Sequence, residues 1–330
     1  MTSSSTSGAF RWGIIGPGKI AKTFAADITT YTSQTVAAVG SRDLSRARDF
    51  ATKFGALAYG SYEEVVLADV DAIYVATPHQ LHADNSILAL RAGKPVLCEK
   101  PFAATLHQAT AMVKVAREKK LLLMEGMWSR YLPHYAIVRE LIANNEIGEV
   151  IHIQADHGQY LRPENYIRHH SPESAGGALL DLGVYPISLT TMLLGRPHEI
   201  KAVATLTPRG VDDTTSIALR FHSGAHALLT TTFTAKTPCT ATIVGSHGVI
   251  EISGDFYTPQ KIRLQRRGKD EQIFESHYVG HGIREQALYF QRALEDGRQE
   301  SEILDLDHSL MVMAMMDEIR EQIGVRYPFE

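Results

Sequence analysis

"RWGIIGPGKIA", Arg11 to Ala21, decides the fold. Arg11 to Gly16 reads as a buried strand. It turns through Gly16-Pro17-Gly18-Lys19-Ile20-Ala21, the form G-x-G-x-x-A. The first glycine permits a tight turn, and the second lets the backbone approach a pyrophosphate. The small Ala21 allows the next helix to pack closely on the strand. That helix, "KIAKTFAADITTY", spaces Ile20, Phe24 and Ile28 four residues apart. Its first turn offers free N–H groups to a phosphate. Strand before, helix after and a βαβ run beyond are the context this loop needs to bind a dinucleotide. Without them the glycines make only a tight turn.

Moving outward, the pattern repeats. "TVAAVGS", "DAIYVATP", "KPVLCEK" and "LLLMEG" read as strands. Between them "DLSRARDFATKFG", "SYEEVVLA", "HADNSILALRAG" and "LHQATAMVKVAREKK" read as helices, with Asp43 as a cap and Gly55 as a stop. Alternating strands and helices, apolar on both faces, predict a parallel doubly wound sheet. Past about residue 125 the style changes. Residues 130–145 look helical. "VIHIQADHGQY" then alternates with period two, as a half-buried antiparallel strand does, and "KAVATLT", "TSIALRFH", "AHALLTTTF", "TATIVGS", "GVIEIS" and "KIRLQRR" continue it. Helices are expected at about 183–194, 282–296 and 305–323. The predicted fold is α/β, an N-terminal Rossmann domain over 9–127 and an α+β domain over 128–330 with a large, mostly antiparallel open sheet. A loose tail covers 1–8, and the final helix is free to pack back on the first domain. Its methionines read as core or interface packing.

The 330 residues suffice for two domains. A net charge of −4 gives no electrostatic case for nucleic acid or an anionic membrane. Two cysteines are too few for a disulfide framework or a cysteine zinc site, so a reducing cytoplasmic setting is the default. No apolar run suggests a membrane span. Fifteen histidines are many, yet no metal-ligand spacing such as HExxH appears, so no metal is expected.

The second strand ends at Ser41-Arg42. An acidic residue there would hold the ribose of NAD. Arginine instead offers a planar fork to a 2′-phosphate, with Ser41 as a hydroxyl donor and Arg46 one turn on, so NADP(H) is the expected cofactor. Ligands in such folds bind beyond the carboxyl ends of the strands. "VATPHQLH" directs Thr77, Pro78, His79 and His82 there. "VLCEKP" brings Glu99 and Lys100, which Pro101 releases from the ladder, and "MEGMWSRY" brings Glu125, Trp128 and Arg130. In "GGALLDLGVY", Asp181 and Tyr185 are spaced i,i+4 and share a face if helical. They line a polar cleft, or Tyr185 packs in the core with its hydroxyl bonded.

Over nearly its whole length the chain resembles the glucose-fructose oxidoreductase/inositol dehydrogenase (Gfo/Idh/MocA) family. The resemblance rests on "GIIGPGKIA", "VATPHQLH", "VLCEKP" and "GGALLDLGVY", in that order. "SRDLSRA", "MWSRY" and "GGALLDLGVYP" are similar to its dimeric dihydrodiol dehydrogenase and NADP-dependent D-xylose dehydrogenase branch. Many members carry histidine where this chain has Tyr185, a departure that branch shares. The resemblance implies a homodimer through the open sheet, a catalytic Lys100 before a commonly cis Pro101, and functional roles for Asp181 and Tyr185. It also implies substrate contacts from Trp128 and Arg168.

The chemistry so implied is hydride transfer between the nicotinamide and a secondary alcohol or hemiacetal carbon of a sugar or diol. The hydroxyl proton must leave as the carbonyl forms. Either Tyr185 exchanges that proton, its phenolate favoured by Lys100, or Lys100 is the base and Tyr185 orients the substrate. Asp181 holds substrate or Lys100. Glu99 orients backbone or cofactor amides. The alternatives are an NADPH-dependent reductase of dicarbonyls or an anhydro-sugar ketone, lyase-type chemistry through transient oxidation, and a non-catalytic NADP sensor. Trp128, Tyr131, Tyr160 and Tyr166 suit either a sugar face or an aromatic diol.

Overall fold

The computed structural model describes residues 8–164 and 166–330. Most of the tail expected at 1–8 therefore lies outside the described residues. Six parallel strands form the first sheet: β1 (Arg11–Ile15), β2 (Thr35–Gly40), β3 (Leu57–Tyr59), β4 (Ala72–Val75), β5 (Val96–Glu99) and β6 (Leu123–Gly126). Their order is β3-β2-β1-β4-β5-β6. The order reverses between β1 and β4, which opens a crevice above their carboxyl ends. Trp12, Ile14 and Ile15 of β1 are fully buried, as a strand covered on both faces requires.

The helices between these strands start and stop where local chemistry dictates. Helix α1 (Lys19–Tyr31) follows Gly18 directly. Asp43 caps α2 (Leu44–Phe54) by accepting from Ser45 N, and Gly55 ends it in the left-handed region. Ser61 and Glu64 form a capping box on α3 (Tyr62–Leu67). Helices α4 (His82–Arg91) and α5 (Leu106–Lys119) complete the layers.

After β6, Trp128–Tyr131 form a single 3₁₀ turn, and α6 (Pro133–Ala143) opens with proline at its first position. The second sheet has eight strands: β7 (Val150–Gly158), β8 (Glu199–Leu206), β9 (Asp212–Arg220), β10 (His226–Thr232), β11 (Ala241–Gly245), β12 (Gly248–Ile252), β13 (Ile262–Arg266) and β14 (Gln272–Phe274). Their order is β14-β13-β12-β11-β7-β10-β9-β8. The sheet is antiparallel except at its centre, where β7 pairs with β10 in parallel. The mostly antiparallel sheet expected from the sequence is thus present, with β7 antiparallel to β11 and parallel to β10.

One face of this sheet packs on α7 (Val184–Leu194) and, at the edge strand β8, on α9 (Leu306–Ile323), while α8 (Arg284–Glu295) packs on α1 and the 128–131 turn. The stretch Pro172–Leu194 is long and apolar enough to cross a membrane, but 78% of its most apolar part is buried inside the fold. It is a core helix. Helix α9 bridges the two sheets. Asp317 accepts from Leu106 N of α5 at 2.9 Å, while Gln322 pairs with Ile200 and Ala202 on the edge strand β8.

Candidate active site

The glycine loop sits at the reversal of strand order. Gly16 has φ +91°, and a Cβ there would lie 2.8 Å from Ala76 O on β4's extension. Only glycine permits that approach. A Cβ on Gly18 would meet only Ala76 O, at 3.9 Å, so the space over its Cα is open to a ligand. No side chain caps the first turn of α1. Its N–H groups and positive helix end suit a pyrophosphate. Beside it lies a cleft of about 300 Å³, lined by Pro17, Gly18, Lys19, Lys22, Arg46 and Asp49. Ile20 is half-buried beneath the loop. At the end of β2, Ser41 is buried and Arg42 exposed. Asp43 is committed to capping α2, so it does not neutralise Arg42. These residues fit a dinucleotide with an extra phosphate on its ribose.

The other strand ends converge on Lys100. Its Nζ lies 3.0 Å from Asp181 Oδ1, 2.8 Å from Asp181 O and 5.0 Å from the centre of the Tyr185 ring. The Lys100–Pro101 bond is cis. Burial opposes the ammonium charge, but Asp181 and then Tyr185 outweigh it and hold the lysine above its ordinary pKa. Asp181 is the converse. Burial pushes its carboxyl up, yet Lys100, then His169 and His79, hold it well below the usual range. His79 Nε2 and His169 Nε2 flank that carboxylate at 3.6 and 3.5 Å.

Asp181 rides on a π-helical turn, Leu179–Gly183, that leads into α7. Such turns are frequent at functional sites. The turn is set by Asp212, which accepts from Leu179 N at 2.7 Å. Gly177 makes this possible: it has φ +117°, and a Cβ there would fall on Asp212 Oδ1. Tyr185 follows on α7, buried, with its oxygen accepting from Trp128 Nε1 at 2.9 Å. Burial raises its phenol pKa; Lys100, the next influence, lowers it without winning. The tyrosine therefore rests as a phenol, with Lys100 pulling toward the phenolate as expected and burial opposing it.

Three assigned residues do other work. Arg130 is 3% exposed and does not face the cleft. Its guanidinium donates to Ser188 O at 3.0 Å and Ile303 O at 2.9 Å, joining the 128–131 turn to α7 and the approach to α9. Glu99 is taken up by the Tyr74 hydroxyl and by Lys100 N at 3.2 Å, so it orients the backbone of its own loop, one of the two roles expected of it. His82 lies between Thr77 O at 2.9 Å and Pro101 O at 2.8 Å and braces the two strand ends. Thr77 Oγ1 accepts from Asn85, Pro78 is half-buried and begins the turn, and Arg168 is exposed near the mouth.

Three further residues border the site. His157 stacks on Tyr257 at 4.1 Å and stands 5.2 Å from the Tyr185 ring; His281 lies 4.8 Å from the Trp128 ring. One of them carried a signal. His157 shares the inward parity of Ile153 and Ala155 on β7, a polar residue at a core position.

Comparison with known proteins agrees with this geometry. Residues 10–127 match the oxidoreductase family with an NAD-binding Rossmann fold, and residues 135–251 match the GFO/IDH/MocA C-terminal domain. The chain belongs to the GFO/IDH/MocA oxidoreductase family. A trans-1,2-dihydrobenzene-1,2-diol dehydrogenase of Xenopus tropicalis is 36% identical over 335 residues, covering 97% of this chain and 100% of that one. A D-xylose 1-dehydrogenase (NADP(+)) of Hypocrea jecorina is 36% identical over 363 residues, covering 96% and 93%. Among solved structures, a 3-ketoreductase of Actinomadura kijaniata in complex with NADP and TDP-benzene superposes with a TM-score of 0.86. It is 30% identical and covers 97% of this chain and 99% of that one.

Proposed function

We propose that this chain is an NADP-dependent dehydrogenase acting on a secondary alcohol or hemiacetal carbon of a sugar or diol. The observation that carries this is the Lys100–Asp181–Tyr185 cluster at the carboxyl edge of the Rossmann sheet. The activities named for the Xenopus and Hypocrea relatives support the substrate class, and Arg42 with Arg46 supports the phosphorylated cofactor.

Bound NADP accepts or supplies the hydride at carbon. The chain's residues manage the oxygen. Lys100 keeps its charge and stabilises a developing alkoxide. Asp181 holds Lys100 in place. Tyr185, whose oxygen already accepts from Trp128, has its O–H to exchange with substrate. The protonated phenol favours a second reading, reduction of a sugar ketone or dicarbonyl by NADPH. Absorbance of NADPH tests both: D-xylose, D-glucose and a trans-dihydrodiol offered with NADP+, then ketones offered with NADPH. Activity in either direction that Lys100→Met abolishes supports the reading. Tight NADPH binding with no turnover on any of them would shift the assignment to a non-catalytic sensor.

The same proposal extends to a homodimer through the open sheet. Val203 of β8 and Leu228 of β10 stand on its uncovered face, 72% and 51% exposed. Two free, buried cysteines suit the reducing cytoplasm.

A further inference from the structure

One buried carboxylate outside the Lys100 cluster bonds only to a remote part of the chain. Asp27 lies on α1, the helix that begins at the glycine loop, and is 4% exposed. It accepts from His281 N at 3.1 Å, Gly282 N at 3.1 Å, Arg284 N at 3.0 Å and Arg284 Nη1 at 3.2 Å. These donors lie on the strap joining β14 to α8 and on the first residue of α8, which its own segment leaves without a side-chain cap. Asp27 supplies that missing acceptor from another layer of the fold.

The strap sits tightly against α1. Gly280 has φ +91°, and a Cβ there would lie 2.7 Å from Asp27 Oδ1 and 2.6 Å from Tyr31. Arg284 is sandwiched between the rings of Tyr31 and Tyr278, at 4.5 and 4.3 Å. The backbone at 280–284 is thus set by α1. His281 then carries the setting into the site. Its ring lies 4.8 Å from that of Trp128, and Trp128 Nε1 donates to Tyr185 OH at 2.9 Å.

We propose that Asp27 is a positioning residue for Tyr185: through the 280–284 strap and His281 it seats Trp128 so that the indole N–H reaches the phenol oxygen. The proposal rests on the reading of Tyr185 as the proton-exchanging residue. With the indole on one lone pair, the phenol O–H points toward substrate. A shifted indole lets the hydroxyl rotate, and a misplacement of about 1 Å at a reacting group costs roughly a hundredfold.

A Trp12→Phe background leaves Trp128 as the only tryptophan. In the NADP-bound full chain, Asp27→Asn and His281→Ala should each red-shift Trp128 emission and raise its quenching by iodide. Each should lower kcat about tenfold to a hundredfold, with NADPH affinity within about twofold, and the double variant should be no worse than the more severe single one. His281→Phe, which keeps a ring against the indole, should restore most of the loss. His281→Ala leaves all four Asp27 hydrogen bonds intact, so it and His281→Phe decide the matter even if Asp27→Asn does not fold. Unchanged emission and kcat in His281→Ala, or additive losses in the double variant, would overturn the proposal. Full turnover in Tyr185→Phe would remove the tyrosine reading alone, and Trp128 emission would still report whether Asp27 seats the indole.

Discussion

Lys100 Nζ donates to both the carboxylate and the backbone carbonyl of Asp181, at 3.0 and 2.8 Å. One ammonium thereby ties the end of β5 to the π-helical turn before α7, across the boundary between the two sheets. Both side chains are largely buried, at 13% and 12% exposure. An ion pair so placed is costly to break on one side only, since the partner charge stays behind.

Lys100→Met should therefore do two things. Turnover should fall by about 10² to 10⁴, the usual worth of a positioned proton-transfer or charge-stabilising group. NADPH binding, measured by fluorescence, should change little, because the glycine loop and Arg42 are untouched. Near-normal turnover would remove Lys100 from the chemistry under either assignment of the base.

Arg42 is exposed at the end of β2, and Asp43 is occupied with Ser45. Its fork is free for a phosphate. A hydrogen bond to a charged group is worth about 1.5–3 kcal/mol, so Arg42→Ala should weaken NADPH by roughly tenfold or more. NADH, which has no 2′-phosphate, should bind almost as before. Equal weakening of both in a titration would refute the discrimination.

The parts of this molecule that local patterning encodes were legible in its sequence. The Asp43 cap and the Ser61 start depend on neighbours within four residues, and the glycine loop shows in its spacing between strand and helix. The parallel pairing of β7 with β10 was not, because His152 and His226 meet from 74 positions apart and periodicity carries no strand direction. Strands of three residues, β3 and β14, are too short to alternate visibly. Arg130 misled for a similar reason. It follows a strand end that points at the cleft, but the carbonyls that need its donors belong to Ser188 and Ile303, far along the chain. The protonation of Tyr185 also lay beyond sequence, since the contest between Lys100 and burial depends on how much of the ring is covered.

Stability should fall with acid. Burial holds His79, His82, His134, His157, His169 and His308 below their ordinary 6.5, to about 4 for His82, His134, His169 and His308 and about 3 for His157. The unfolded chain takes up these protons near pH 6.5 and the folded chain does not. Their contribution is thus complete above 6.5 and is lost as pH drops toward 4. Glu99 and Glu125, raised by burial to about 7, and Asp212, raised by burial to about 6, act in the opposite sense, favouring the fold as pH falls from 7 toward 4. Each group is worth up to about 1.4 kcal/mol per pH unit within its window, and the six histidines outweigh the three carboxylates. The urea midpoint at pH 5 should lie clearly below that at pH 7.5; an equal or higher midpoint would contradict the balance.

Tyr185 gives the sharpest dependence of rate on pH. Its phenol titrates above the ordinary value of about 10 because burial outweighs the pull of Lys100. At neutral pH the hydroxyl holds its proton. Carbonyl reduction consumes that proton, so its rate should be level from about pH 6 to 8 and decline only as pH passes 10. Alcohol oxidation needs the proton gone, so its rate should climb over the same interval. Tyr185→Phe should lose both limbs together with most of the turnover, while keeping the Trp128 side of the pocket packed. If Tyr185→Phe instead keeps the wild-type profile in both directions, the titrating group is Lys100, and the tyrosine serves only to orient the substrate beneath it.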